Sequence, residues 1–248
     1  YIKRKTSQRG FYARELCEKA EHVMLMTGTP LENNVDEMIS LIDSIRPDVA
    51  LKAQDNSDSA SAEDFRSIVS PVYLRRRRQD VLAELPKLVK QSEWCVLSEQ
   101  ERREYEKSVE QRNIAMMRRV SWSCGDVARS SKAKRLKELV EDARQEGRKV
   151  VNFSFFLGTL SQVCSLFEEL CFGPITGSVS PRDRQKIIDE FNRAPNGAVL
   201  VSQIEAGGIG LNIQTASVVI ICEPQLKPST ENQAISRVYR MGQVRNVM

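Results

Sequence analysis

Apolar positions follow two different periods along this chain, and the second part shows them most plainly. Val150–Ser154, Pro174–Thr176, Ala198–Ser202 and Val218–Cys222 are short apolar blocks of the kind that form buried strands. Between and before them, apolar residues recur every three or four positions, predicting helices over Ser131–Glu146, Leu157–Leu170, Arg182–Asn192 and Thr230–Met241. The first of these carries Leu136, Leu139, Val140 and Ala143 on one face. Strands alternating with helices indicate βαβ units, hence an α/β domain built on a parallel sheet.

The first part is sparser in strands. Tyr12, Leu16 and Ala20 give helical spacing over 11–22, and His22–Thr27 reads as a short buried strand. A turn at Thr27-Gly28-Thr29-Pro30 then leads into a helix with Leu31, Val35, Met38, Leu41, Ile42 and Ile45 inward. Thr29 suits its N-cap, Pro30 its first position, and Pro47 would stop it. Residues 52–64 are small and polar and predict a loop. Residues 89–97 predict a strand, 98–120 a charged helix, and the Ser-, Cys- and Gly-rich 121–131 a linker. These strands are too few for a separate α/β domain.

Composition narrows the class without deciding it. The chain has 248 residues, 37 Lys and Arg against 33 Asp and Glu, and a net charge of +4. Such a balance permits nucleic-acid binding without requiring it. No apolar run approaches bilayer length, and no apolar segment follows the basic first residues as in a secretory signal. The six cysteines form no Cys-x-x-Cys and the chain has one His, so zinc ligation lacks its residues and His-based catalysis lacks its base. Scattered cysteines of this kind suit reduced thiols inside a cell.

Three segments carry candidate chemistry. In the last predicted helix Thr230 and Gln233 fit a capping box, and Gly242 fits the residue just past the end. Gln233, Arg237 and Arg240 would then share a stripe of about 60°. Arginine suits phosphate because its planar fork stays charged and donates two parallel bonds. A solvated basic face fits the same spacing equally well. The loop Gln203-Ile204-Glu205-Ala206-Gly207-Gly208-Ile209-Gly210 follows an apolar strand, and its glycines would let backbone N–H groups approach a phosphate. A tight turn explains the same glycines. Thr27, Gly28 and Thr29 sit where open α/β sheets bind ligands, and a plain helix cap is the other reading. Asp36-Glu37 reads as a solvated helix face, Arg75–Arg78 as a basic face, and Trp94 and Trp122 as core or half-buried packing.

Taken in order, these segments resemble motifs III to VI of superfamily-two helicases, and more narrowly the Swi/Snf-type ATPases. Leu25-Met-Thr-Gly-Thr-Pro-Leu-Glu-Asn33 resembles motif III, and Leu74–Val81 with Glu84-Leu-Pro86 the stretch after it. Val150–Phe156 resembles motif IV, followed by Thr176-Gly-Ser178, Arg184-Gln185 and Phe191-Asn192. Ala206–Asn212 resembles motif V, and Gln233-Ala234, Arg237, Arg240 and Gly242-Gln243 resemble motif VI. The chain departs from the family pattern at Gln203-Ile204-Glu205, at Phe155 after Ser154, at Leu226-Lys227-Pro228 and at Tyr239.

The resemblance implies a RecA-like parallel sheet flanked by helices, the helicase C-terminal lobe, plus part of a first RecA-like lobe. It divides the chain into a lobe-one remainder over 1–90, a helical linker over 91–130 and lobe two over 131–248. It implies ATP and Mg²⁺ as cofactors of the whole protein, with neither held tightly by this stretch, because no G-x-x-x-x-G-K-[ST] loop and no Gly-Lys pair occurs. It makes Arg237 and Arg240 arginine fingers and gives Gln233 a placing role. Gly207, Gly208 and Gly210, with Thr27, Gly28 and Thr29, become coupling residues. Gln203, Ser154, Thr176 and Arg184 become contacts to the backbone of double-stranded DNA. The partners implied are that duplex and the N-terminal half of lobe one, with no membrane, in an intracellular setting that is nucleoid-associated in a prokaryote. A non-catalytic nucleic-acid-binding module, and an RNA or single-strand helicase of the same superfamily, are the competing functions.

Overall fold

The computed structural model describes residues 2, 7–27, 35–55, 61–76, 85–123, 125–206 and 212–248. The chain divides into two compact units, residues 1–81 and 82–248.

The first unit is helical where described. α1 (Gln8–Lys19) is capped by the Ser7 hydroxyl. Its predicted apolar face is open to solvent, with Phe11, Tyr12 and Leu16 all exposed. Residues 23–27 join no strand among the described residues, and Met24 and Met26 are exposed, so the expected buried strand is absent there. α2 (Val35–Asp43) packs on α3 (Pro47–Asp55) and α4 (Ala62–Val69) through Met38, Ile39, Ile42, Val49, Ala50, Ala53 and Val69. Pro47 therefore opens a helix instead of only stopping one, as its missing N–H and fixed φ favour. The polar stretch expected as a loop is helical at both ends. α3 runs to Asp55, and a reciprocal Ser61–Asp64 capping box starts α4. Asp36 and Glu37 lie in the first turn of α2, where negative charge faces the positive end of the helix dipole. Arg75 and Arg76 are exposed, and Arg77 and Arg78 lie outside the described residues.

The second unit holds four parallel strands: β1 (Val150–Ser154), β2 (Cys171–Ile175), β3 (Val199–Gln203) and β4 (Val218–Ile221). Their spatial order is β2-β3-β1-β4. β1 is central, pairing Val150 with both Val199 and Val218. Every residue of β1 is buried, so its side chains are sorted between two cores by strand alternation. Val151 and Phe153 join Leu200, Ile175, Ile188, Phe191, Ala234 and Val238 on one face. Val150 joins Val199, Val201 and Val218 with Leu136, Val140, Leu160 and Trp122 on the other. The helices supplying these residues are α6 (Ile114–Ser123), α7 (Ser131–Gln145), α8 (Leu157–Phe167), α9 (Pro181–Arg193) and α10 (Pro228–Val238). β2 approaches β3 closely at Gly173, where φ is +121° and a Cβ would stand 2.4 Å from the Val201 carbonyl oxygen, so only glycine fits.

Residues 91–130 belong to this unit. The charged stretch is two helices, α5 (Glu99–Glu110) and α6, separated where the Asn113 side chain accepts the Met116 amide and caps the second. The stretch expected as a linker holds the end of α6, a 3₁₀ turn at Val127–Arg129 and the Ser130 cap of α7. Residues 89–97 form no strand among the described residues. The ladder contact lies just before them, where Leu88 bridges Val247 in parallel. Trp122 is core as expected, but Trp94 is 93% exposed.

Two buried charges fasten helices to this frame. The Lys149 ammonium donates at 2.9 Å to the Phe191 and Asn192 carbonyls, the negative end of α9, and burial pushes its pKa down. The Glu101 carboxylate accepts from the Ser98 and Ser131 amides at 2.7 and 2.9 Å, joining the starts of α5 and α7. Burial works to raise this carboxyl, but those donors outweigh it and hold it below its ordinary 4.5. A depressed carboxyl stabilises the fold above its unfolded pKa and loses that margin as pH falls. Glu101→Gln should therefore lower the urea midpoint at neutral pH, and the gap from wild type should close as pH drops below 4.5.

Candidate functional site

Because the strands are parallel, all four carboxyl ends meet one edge of the sheet, where open α/β folds bind ligands. The structure brings Gln203, Ser154, Thr176 and Arg184 together at this edge. Gln203, at the end of β3, bridges its neighbours. Its Nε2 donates to the Phe155 carbonyl at 3.5 Å, and its Oε1 accepts from the Gly177 amide at 3.3 Å. Thr176 lies just past β2, its hydroxyl 2.8 Å from that of Ser178. Arg184, in the first half of α9, donates to the carbonyls of Val179 (2.8 Å), Thr176 (3.0 Å) and Gly177 (3.1 Å). Its guanidinium thus shapes the turn after β2. Ser154 has no exposed surface, and its hydroxyl meets the Glu223 carboxylate oxygens at 3.0 and 3.1 Å. In this structure Ser154 stands behind the surface.

Gln233 and Arg237 sit four apart on α10, and both are half-buried. The helix differs from expectation at both ends. It starts at Pro228, with Lys227 as N-cap and no capping side chain, so Thr230 and Gln233 make no capping box. Proline's fixed φ favours the earlier start. The helix stops at Val238, because its last carbonyls are drawn elsewhere: Arg237 O accepts from the Ile213 amide, and Val238 O from the Gln243 side chain. Arg240 therefore lies beyond the helix, and the three-residue stripe reduces to Gln233 and Arg237. Gly242, with φ +93°, turns the chain after that end instead of capping it.

Gln243, matched above only as the end of the motif VI resemblance, is the residue that fixes this region. It is buried, and its Nε2 donates to the carbonyls of Ala216 (2.8 Å), Gln214 (3.1 Å) and Val238 (3.4 Å). Its Oε1 accepts from the Arg245 amide at 3.0 Å. The Gln214 side chain in turn donates to the Met241 carbonyl. The segment after the glycine loop and the segment bearing Arg240 are thereby tied to each other. Tyr239 donates through its hydroxyl to the Pro86 carbonyl at 2.9 Å. Gly207, Gly208, Gly210, Gly28 and Thr29 lie outside the described residues, and Thr27 is exposed.

Glu223, just past β4, was invisible to motif reasoning. It is 1% exposed and takes the Phe155 amide at 2.5 Å besides Ser154. Burial pushes its carboxyl up against the pull of these donors. Two cations brace the same turn. Lys132 donates to Cys222 O at 3.0 Å, and Arg118 to Pro224 O at 3.0 Å and Gln225 Oε1 at 3.2 Å. The Arg118 guanidinium also lies 5.5 and 5.3 Å from the Phe155 and Phe156 ring centres. A lone acid directly after an apolar strand, Cys222-Glu223-Pro224, was the available signal. No group of three or more His, Cys, Asp or Glu residues able to hold a metal occurs among the described residues. No helix among them is long and apolar enough to cross a membrane.

A parallel α/β sheet with polar groups gathered at its carboxyl edge is the architecture in which open α/β folds bind their ligands. Comparison with known proteins gives the family. The SNF2-related domain matches residues 1–145, and the helicase conserved C-terminal domain matches 131–242. The chain belongs to the SNF2-related family, and its sheet is a RecA-like ATPase-core fold. It is 27% identical over 259 residues to an uncharacterized ATP-dependent helicase of Mycoplasma pneumoniae, covering 92% of this chain and 25% of that protein. It is 26% identical over 278 residues to the ISWI chromatin-remodeling complex ATPase ISW1 of Saccharomyces cerevisiae, covering 90% and 24%. The SWI2/SNF2 ATPase core of Sulfolobus solfataricus matches with TM-score 0.55 and 27% identity, over 89% of this chain and 53% of that one. The same core in complex with dsDNA matches with TM-score 0.55 and 25% identity, over 99% and 60%. The chain spans about a quarter of the length of these curated relatives.

Gln243→Ala would strip partners from buried carbonyls, each such loss costing about 1–3 kcal/mol. Urea unfolding should show destabilisation of that order, with faster amide exchange over 213–216 and 238–242.

Proposed function

We propose that this chain is part of an ATP-driven motor that moves along double-stranded DNA. Residues 1–90 would be the remainder of its first RecA-like lobe, 91–130 the helical connection and 131–248 the second lobe. The observation that carries the reading is the match, in one order and over 99% of the chain, to a SWI2/SNF2 core that binds dsDNA. Arg237 and Arg240 act as arginine fingers, stabilising charge on the transferring phosphoryl group. Gln233 places the helix that bears Arg237. Gly207, Gly208, Gly210, Thr27, Gly28 and Thr29 couple nucleotide state to lobe movement. Gln203 and Thr176 meet the DNA backbone, Arg184 shapes the turn that presents Thr176, and Ser154 supports them from below.

ATP fits what the described residues offer only in part. Arg237, half-buried on an anchored helix, and Arg240 suit phosphate oxygens. On this reading Mg²⁺ and the phosphate loop belong to the complementary half of lobe one. When bound, ATP with Mg²⁺ supplies the phosphoryl group whose transfer drives movement. This stretch alone does not hydrolyse it. Grip on DNA runs through phosphates, so it is blind to sequence and sensitive to salt.

In the full-length protein, Arg240→Ala should lower duplex-stimulated ATP hydrolysis by about 10³-fold or more, the scale of an arginine finger. The 248-residue chain should show no turnover. Duplex-stimulated hydrolysis by that chain, lost on Arg240→Ala, would overturn its incompleteness. Stimulation of the full-length protein by RNA alone would overturn the choice of duplex DNA. A non-catalytic module would show no stimulated hydrolysis at any length.

A further inference from the structure

The carboxyl edge of the sheet is crossed by one continuous line of hydrogen bonds. It starts at the buried Glu223 beyond β4, which takes the Ser154 hydroxyl and the Phe155 amide at the end of β1. Ser154 Oγ in turn accepts the Phe156 amide at 3.0 Å. The Phe155 carbonyl accepts from Gln203 at the end of β3, and Gln203 accepts from Gly177 after β2. The Gly177 carbonyl then accepts from Arg184. The line visits the strand ends in their spatial order, β4, β1, β3, β2.

Glu223 plays no part in the chemistry proposed above, yet a buried carboxylate is expensive to keep without compensation. Here the compensation is the line itself, together with Lys132 and Arg118, whose charges face the same turn. The Gln203 side chain touches both adjoining loops, reaching the Phe155 carbonyl on the β1 side and the Gly177 amide on the β2 side. That carbonyl belongs to the peptide chain whose preceding amide Glu223 fixes.

We infer that Glu223 is a positioning residue: it sets the tip of β1 and, through Phe155 and Gln203, the turn at 176–179, so that Gln203 and Thr176 are presented together to a duplex phosphate backbone. The duplex-facing half of this statement rests on the proposed function, and the relay half does not.

The test uses this chain as wild type, Ser154→Ala and Glu223→Gln. Ser154→Ala removes one link with little change of volume and guards against a Glu223 variant that fails to fold. Amide exchange by mass spectrometry reads the relay, and anisotropy of a labelled duplex of about 30 base pairs at low salt reads the surface. Both variants should exchange about tenfold faster at 155–157 and at 176–179, with 150–153 and 199–202 unchanged. Duplex affinity should fall several-fold in both. Faster exchange at 155–157 alone would make Glu223 a local cap and overturn the relay. A rise throughout the sheet would reduce it to a general stability role and also overturn it. A relay with unchanged duplex affinity would overturn the positioning of the DNA-facing edge. If wild type binds no duplex, the proposed function of this edge fails, while the exchange pattern still decides the relay.

Discussion

Parallel pairing of β1 between β3 and β4 is the constraint on which the rest depends. A parallel sheet has helices on both faces, so its central strand must be apolar in both directions, and β1 is buried throughout. The same pairing points every strand the same way. Groups scattered over 70 residues of sequence, from Ser154 to Glu223, therefore arrive at a single edge. Because strand ends carry carbonyls and amides that the ladder no longer uses, side chains there must supply partners. Gln203, Arg184 and Glu223 do so, and that local requirement is what turns a sheet edge into a surface of fixed shape.

The strands were legible because their apolar blocks answer to this burial. β1 falls where the pattern placed it, and the others differ by one to three residues at their ends. The extended start of β2 at Cys171-Phe172-Gly173 was missed because a half-buried edge strand lacks a continuous apolar run. Helix ends were less legible. The end of α10 is set by where Ile213 and Gln243 reach for carbonyls, a tertiary event that no local cap announces. Pro47 and Pro228 show the opposite case, in which proline's own geometry starts a helix.

The candidate site was legible as a set of positions but not as a set of tasks. Sequence order placed Gln203, Ser154, Thr176 and Arg184 at one locus, and the fold gathers them there. Their bonds divide them: Gln203 and Thr176 stand at the surface, while Ser154 and Arg184 hold it in shape. Burial sets Ser154 apart and bonds to backbone carbonyls set Arg184 apart, and neither can be read from a motif. The bonds of Glu223 and Gln243 were hidden in the same way, since both act chiefly through backbone groups they reach in the fold. In the first unit, the apolar face of α1 matched its period yet lies open, since a period predicts a face and not what covers it, and 23–27 form no strand among the described residues.

The bridge between Leu88 and Val247 has a consequence in time. The Lys87 amide donates to the Asn246 side-chain oxygen across 159 residues of sequence, and the backbone of 87–89 is laced to Val247 on both sides. Contacts this remote close a long loop and are among the last to form. On a ribosome, the segment that enters this unit would emerge early and wait unpaired until nearly the whole unit had followed it. The beginning of the unit is thus completed by its end.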